Sequence, residues 1–443
     1  MRARRFTVTP PAGLSLLLGL LAGGFGDTAK AQDLQGLLDQ GSANLQVFAL
    51  DTERGLQTNS LLNPNNRVAR LSQGQTELEA RLDLKLSLNA FELSVKPRAR
   101  FEWFRFGNGK PETHLEAWLN QGTVTLYPAQ SLTLSAGRDI LTWGPSNFRS
   151  PSNPIYFENG RIIPLRELRG VDMAQATWAP SQALSVSLMH QWGDGRGGWQ
   201  WDRDDGFRAL TLLKVDYTAD VYVASVNASK RWAHERPRFG AFAQATVNEA
   251  LLVYAEAGLR QGTPALYPEP RPTPVGGAFV PRHAADGRLF YSALVGGGYT
   301  LNSGHTVSLE YLANNEGYRW ADEARYFDIA ARASALLSAP SLDAPLAGQT
   351  LGTALNNGLA LLGRHYLFLQ VQNNPADAGP IWQLRYSLNL VDGSGQASAY
   401  GEWHVWERLA FFAVGVLHHG SPRSEFNALQ SRSILVGAKG YVL

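Results

Sequence analysis

From residue 76 almost to the C-terminus, apolar and polar residues alternate with a period of two. In the segment 76–89, Leu78, Ala80, Leu82, Leu84, Leu86 and Leu88 alternate with Glu77, Glu79, Arg81, Asp83, Lys85 and Ser87. The next segment sets Phe91, Leu93, Val95, Ala99, Phe101 and Trp103 on one face and Glu92, Lys96, Arg98, Arg100 and Glu102 on the other. Successive strand side chains point to opposite faces, so each segment has one apolar and one charged face. Strands of soluble sandwiches run to about 5–6 residues. These run to about a dozen or more, the length a tilted strand needs to cross a bilayer. The pattern predicts an all-β fold, a transmembrane antiparallel β-barrel with lipid outside and a polar lumen inside.

Such barrels alternate short periplasmic turns with long extracellular loops. Short turns are expected at 89–90, 127–131, 179–182, 218–220, 248–250, 302–304, 373–379 and 406–408. The loops between them are expected at 107–113, 144–169, 193–205, 233–238, 261–287, 316–364, 391–396 and 419–429. The alternation is unbroken and predicts seventeen strands from residue 76 onward, with an eighteenth near 44–50. Sixteen to eighteen strands fit the pattern, and eighteen is even, as single-chain bacterial barrels prefer. Trp103, Tyr127, Trp143, Tyr217, Tyr299, Trp403 and Tyr441 fall at or near the expected strand ends, where interfacial aromatic girdles lie.

The N-terminus reads as an export signal. Arg2, Arg4 and Arg5 precede the short apolar stretch 14–21, and Ala29-Lys30-Ala31 fits the small-x-small cleavage pattern. Residues 1–31 are therefore expected to be a signal peptide, with Gln32 opening the mature chain and 32–443 forming the barrel. No later stretch approaches the ~20 consecutive apolar residues of a membrane helix. The absence of cysteine excludes a lipoprotein anchor, disulfides and thiolate metal sites. The chain carries 40 Lys+Arg against 38 Asp+Glu; setting aside Arg2, Arg4, Arg5, Lys30 and Asp27 leaves 36 against 37. That balance gives no basis for a nucleic-acid partner. The expected location is the Gram-negative outer membrane, with its lipid, lipopolysaccharide and barrel-assembly machinery as partners.

The least generic stretch is 137–170. A strand is expected to end in Trp143-Gly144-Pro145, and Ser150-Pro151-Ser152-Asn153-Pro154 then interrupts regular structure twice. The next strand is expected to resume at 168. Arg149, Arg161, Arg166 and Arg169 share the stretch with Glu158 and Glu167. The run Gly137-Arg138-(x)4-Trp143-Gly144-Pro145, followed by Asn153-Pro154 and Pro164-Leu165-Arg166, resembles the capsule-assembly outer-membrane proteins and porin-like barrels of proteobacteria. The resemblance covers about thirty residues. It implies an outer-membrane barrel of 18 strands and a connection to exopolysaccharide.

Residues 144–169 are expected to fold inward as a constriction loop. Arg149, Arg161 and Arg166, with Glu158 and Glu167, could then set charge preference or bind sugar hydroxyls and carboxylates, since the guanidinium stays charged and binds bidentately. The alternative is a structural loop whose arginines pair with the carboxylates of the lumen. Lys96, Arg98 and Arg100 form a basic ladder beside the acidic Glu77, Glu79 and Asp83, which predicts a transverse field or cross-strand ion pairs. Loop 316–364 changes rhythm: Tyr326, Ile329, Ala330, Ala333 and Leu337 recur at helical spacing, and Pro340 ends the pattern. The apolar run 351–362 is expected to pack on that helix.

Catalytic signals are weak. His419-Gly420-Ser421 places a His near a Ser, but a triad also needs an orienting third group. No Gly-x-Ser-x-Gly elbow or zinc-binding helix motif occurs. An enzyme is not expected, nor a cofactor or metal. The leading reading is porin-like passage of small or polysaccharide-derived solutes. A non-conducting exopolysaccharide-binding or capsule-assembly barrel is the alternative, with an outer-membrane hydrolase behind it; fold alone does not choose among them.

Overall fold

The structure is a computed structural model describing residues 41–442 apart from 108, 159–164, 196–207, 233–235, 282–286, 375 and 377–378. The expected signal peptide and Arg161 lie outside the described residues.

The alternating segments form one closed antiparallel barrel of 18 strands. The first wall is β1 (Gly41–Leu56), β2 (Gly74–Ser87), β3 (Phe91–Arg105) and β4 (Glu112–Ala129). The short pair β5 (Leu132–Asp139) and β6 (Val171–Trp178) follows, then β7 (Leu184–Gly193), β8 (Leu210–Thr218), β9 (Tyr222–Arg231), β10 (Arg238–Thr246) and β11 (Leu251–Gln261). After a separate hairpin, β12 (Leu266–Pro270) and β13 (Gly277–Pro281), the wall continues with β14 (Leu289–Thr300), β15 (Thr306–Asn314), β16 (His365–Gln372) and β17 (Ile381–Asn389). The last strands are β18 (Gly395–Trp406), β19 (Leu409–His419) and β20 (Gln430–Tyr441). Each pairs with its neighbour in sequence, and β1 closes on β20 through pairs such as Ala49–Ala438. Closure leaves no unpaired sheet edge, which a bilayer would not tolerate.

The strands alternate as the sequence predicts. Leu78, Leu84, Phe101 and Trp103 are exposed on the outer face, while Glu79, Arg98 and Glu102 are buried inside. All eight short turns fall within a few residues of their expected places, at the end of the barrel opposite the long loops. One proline reshapes the lumen wall. Pro97 has no N–H to donate, and the β3–β4 register shifts between Lys96 and Pro97, where Gln121 and Leu119 are the successive partners. Asn120 is thereby bulged, so Asn120 and Gln121 both reach inward, toward Glu167 (3.4 Å) and Asp139 (2.5 Å).

Two expectations are corrected. β5 ends at Asp139, four residues before Trp143, and β6 begins at Val171 rather than 168. Gly137 carries φ 128°, and a Cβ there would lie 2.0 Å from the Gly122 carbonyl oxygen, so the strand is irregular just before it ends. Trp143 is consequently no girdle residue: it packs inside against Val171, Met173, Met189 and Leu212, and its Nε1 donates to Ser152 Oγ at 3.1 Å. The lumen is also not uniformly polar. Phe290, Leu294, Leu312, Tyr366 and Phe368 point inward from β14–β16 and are covered by loop residues.

The long loops build a small core of their own at one end of the barrel. Helix α1 (Trp320–Ser338) covers the expected helical segment. It buries Tyr326, Phe327, Ile329, Ala330 and Ala333 against Ala347, Leu351 and Ala354 of α2 (Ala344–Leu355). The apolar run 351–362 does pack on α1, but the helix within it starts earlier and stops at Leu355. Beyond it, Leu361 reaches down to Phe148.

Candidate functional site

The lumen is divided by residues 140–158 and 165–170, which lie between β5 and β6 in sequence and fold inward. The first limb docks on the wall from β9 to β17. Glu310 of β15 accepts hydrogen bonds from Ser146 Oγ (2.9 Å), the Asn147 N–H (2.6 Å) and Tyr254 Oη (2.7 Å). Glu256 of β11 accepts from Ser150 Oγ (2.5 Å), Ser152 Oγ (2.7 Å) and the Ser152 N–H (3.0 Å). Gly144, at φ 91°, lets the chain turn against this wall, since a Cβ would sit 2.5 Å from Glu256 Oε2. Phe148 then stacks on Phe368 with ring centroids 4.8 Å apart, and the Arg385 guanidinium lies 5.1 Å from the Phe148 ring centre. This half of the lumen is filled.

The returning limb, 165–170, crosses to the opposite wall. There Arg98 forks onto Glu167 (Nε 2.7 Å, Nη2 2.9 Å) and reaches Asp83 at 2.8 Å. Arg81 pairs with Glu79 (2.7 Å), donates to the Leu165 carbonyl (2.8 Å) and lies 4.1 Å from the Phe48 ring centre. Arg169 binds both oxygens of Glu116 (2.7 and 2.9 Å), which also takes Arg100 at 3.1 Å. Arg100 and Arg169 each lie 5.2 Å from the Trp118 ring centre. Leu165 itself packs among Phe48, Phe412 and Val414.

Between this limb and the wall formed by β1–β4, β19 and β20 lies a cavity of about 670 Å³. One side is charged and includes Arg54, Glu77, Arg100, Glu102, Arg166 and Glu167. The other is apolar, with Leu50, Val414, Val416 and Leu435. Such a cavity binds or passes a solute by matched polar contacts on one face and apolar contact on the other.

The structure separates the residues singled out from the sequence. Arg100, Arg166 and Glu167 line the cavity. Arg98 stands directly behind it, its side chain only 1% exposed and fully engaged. Lys96 is on the same strand but does not line the cavity. Arg149 lies on the filled side, where it donates to the Phe148 carbonyl (3.0 Å) and pairs with Glu158 at 3.4 Å. Two members of the expected basic ladder are thus paired, Arg98 with Asp83 and Glu167 and Arg100 with Glu116 of β4. His419 leans on Tyr386, with Nε2 and Oη 2.7 Å apart, and Ser421 Oγ accepts the Arg423 N–H, so the two do not form a catalytic pair.

Several residues of consequence escaped the sequence reading. Glu256 and Glu310 are the single acids of β11 and β15, both at inward positions, and that isolation was the signal. Arg54, Leu50 and Leu435 lie on the strands that close the barrel, where only register shows that they meet.

No family model and no curated protein matches the chain. Solved structures do resemble it. OccAB1 of Acinetobacter baumannii matches at TM-score 0.54 and 11% identity, over 91% of this chain and 96% of that one. OccK11 (OpdR) of Pseudomonas aeruginosa matches at 0.51 and 12%, over 91% and 97%. OprD of Pseudomonas aeruginosa matches at 0.50 and 9%, over 91% and 96%. These comparisons do not support the resemblance to capsule-assembly proteins over 137–166. At such identities the likeness is one of fold, and the chain shares the architecture of the Occ and OprD structures: a closed antiparallel barrel of 18 strands.

Proposed function

We propose that the protein is a porin-like channel of the outer membrane, passing small polar solutes through the slot between residues 165–170 and the wall of β1–β4, β19 and β20. The observation that carries this reading is that residues 140–158 fill one half of the lumen while 165–170 border a charged cavity of about 670 Å³ in the other. A barrel serving only as a membrane anchor has no need to pin a loop across its lumen with two buried carboxylates. The likeness to the Occ and OprD barrels supports the reading through the shared strand number. In this reading residues 1–31 direct export, 32–443 form the barrel, and segments 144–169 and 316–364 narrow and roof the lumen. Outer-membrane lipid, lipopolysaccharide and the barrel-assembly machinery are its partners.

The test is conductance of the purified protein in planar bilayers, together with fractionation and N-terminal sequencing. Steady single-channel currents from an outer-membrane protein beginning at Gln32 are expected. A second reading, a binding cup that conducts nothing, draws on Leu165, whose contact with Phe48, Phe412 and Val414 brings the loop against the wall. Absence of steady current would favour that cup.

A further inference from the structure

We propose that the cavity selects small zwitterions carrying an apolar group, of the shape of an aliphatic amino acid, over singly charged solutes of the same size. The inference gives the solute class of the site described above and rests on that cavity being where the solute is bound, in passage or otherwise.

The geometry centres on Gln75. Its Oε1 accepts Arg54 Nη2 at 2.7 Å, while its Nε2 donates to Glu102 at 2.8 Å and to Glu77 at 3.4 Å. One amide thus holds a guanidinium on one side and carboxylates on the other, within roughly 7 Å of each other. These groups have unspent capacity. Arg54 is bonded only to neutral partners, Ser72 Oγ (2.8 Å) and Gln75, with no ion pair among the described residues. Arg166 lines the same cavity, is exposed, and forms no hydrogen bond or ion pair with the described residues. Glu77 has no ion pair among the described residues, in contrast to Glu79 and Glu116. Leu50 and Leu435 face the same space from the apolar side.

A solute with a carboxylate for Arg54 and Arg166, an ammonium for Glu77 and an aliphatic group for Leu50 and Leu435 satisfies all three sets at once. A simple anion leaves Glu77 without a cation, and a simple amine leaves both guanidiniums without an anion. Hydrogen bonds to charged groups are the strong ones, and losing one costs about tenfold or more in affinity.

The experiment is calorimetric titration of the detergent-solubilised full barrel with free leucine, with 4-methylpentanoate, which lacks the ammonium, and with 3-methylbutylamine, which lacks the carboxylate. Leucine is expected to bind about tenfold tighter than either analogue. Glu77→Gln is expected to weaken leucine about tenfold while leaving 4-methylpentanoate unchanged. The unheated gel mobility of each variant checks that the barrel has closed. Binding of 4-methylpentanoate as tight as that of leucine, or no leucine binding at millimolar concentration, overturns the inference. Leucine binding without bilayer conductance would instead refute the channel and leave this selectivity standing.

Discussion

Both halves of the lumen contain inward-facing carboxylates, and they take different partners. On the wall from β9 to β17, Glu256 and Glu310 take hydroxyl and amide donors from the inward loop and are almost completely buried, at 2% and 0% exposure. On the opposite side, Glu79 and Glu116 of the β2–β4 wall and Glu167 of the returning limb take guanidiniums, and much of that network faces the cavity. Donors supplied by a backbone and its serines pin a chain in one place and exclude water. Guanidinium pairs hold the wall together while leaving polar surface that a solute can meet. The lumen is thus filled where its acids bind hydroxyls and backbone N–H groups and open where they bind arginine.

The largest expected effect comes from removing one pin. Glu310→Ala deprives Ser146, the Asn147 N–H and Tyr254 of their shared acceptor, three hydrogen bonds to a charge at about 1.5–3 kcal/mol each. The first limb should detach while the barrel ladder stays intact, raising single-channel conductance and exposing 144–158 to protease. Unchanged conductance and unchanged cleavage would mean that apolar packing around Phe148 alone holds the limb.

Next in size is a test that separates the wall from its contents. Leu84 faces outward and Lys85 faces inward, where its Nζ pairs with Glu92 at 2.9 Å. Leu84→Arg should impair assembly by about 2–4 kcal/mol, the cost of a charge on the lipid face. Lys85→Leu should be far milder. Equal defects in heat-modifiable gel mobility would show that the faces have been assigned wrongly.

On the open side, Glu167→Gln should cost less, about 1–3 kcal/mol, because Arg98 keeps Asp83 at 2.8 Å. The expected result is a noisier channel with a wider slot, read from current fluctuations. A loss as large as that from Glu310→Ala would erase the distinction between the two halves.

The roof above the filled half carries a titrating group. In α1, burial and then the neighbouring Asp392 and Glu425 carboxylates push the Glu323 carboxyl up to about 9. A carboxyl raised in the folded state contributes stability at low pH that is lost as pH rises through its folded value. Protection of α1 against hydrogen exchange should therefore be greatest below a pH of about 4.5, fall progressively as pH rises to about 9, and level off above that. Glu323→Gln should flatten that decline; an unaltered profile would assign the titration to another group.

The smallest effect is expected from Arg166→Ser. One exposed charge at the cavity, with no ion pair among the described residues, should move the anion–cation permeability ratio toward cations by about twofold or less. Arg149→Ser should leave the ratio unaltered, since Arg149 lies on the filled side beside Glu158. A larger shift from Arg149 than from Arg166 would place the filter in the wrong half.

The sequence by itself determined the wall. A period of two read over segments long enough to cross a bilayer is local information, and hydrogen bonding between neighbours in sequence turns it into a barrel without further choice. The same alternation assigned Leu84 outward and Glu79 inward, and the glycine- and proline-rich break after Asp139 showed that a segment leaves the wall. Helical spacing found α1 in the same way. Tertiary structure decided what fills the interior. Whether an inward residue meets water or another chain segment depends on which loop arrives there, so the inward apolar residues of β14–β16 could not be told from a second lipid face. Arg149 and Arg166 are alike in sequence, yet one limb carries the first against Glu158 and the other carries the second to the cavity. The cavity itself exists only because β1 meets β20, bringing Leu50 and Arg54 to Leu435 and Ser433 across nearly the whole length of the chain. Contacts at that separation leave no mark in a local pattern, because the constraint that forms them is closure of the barrel.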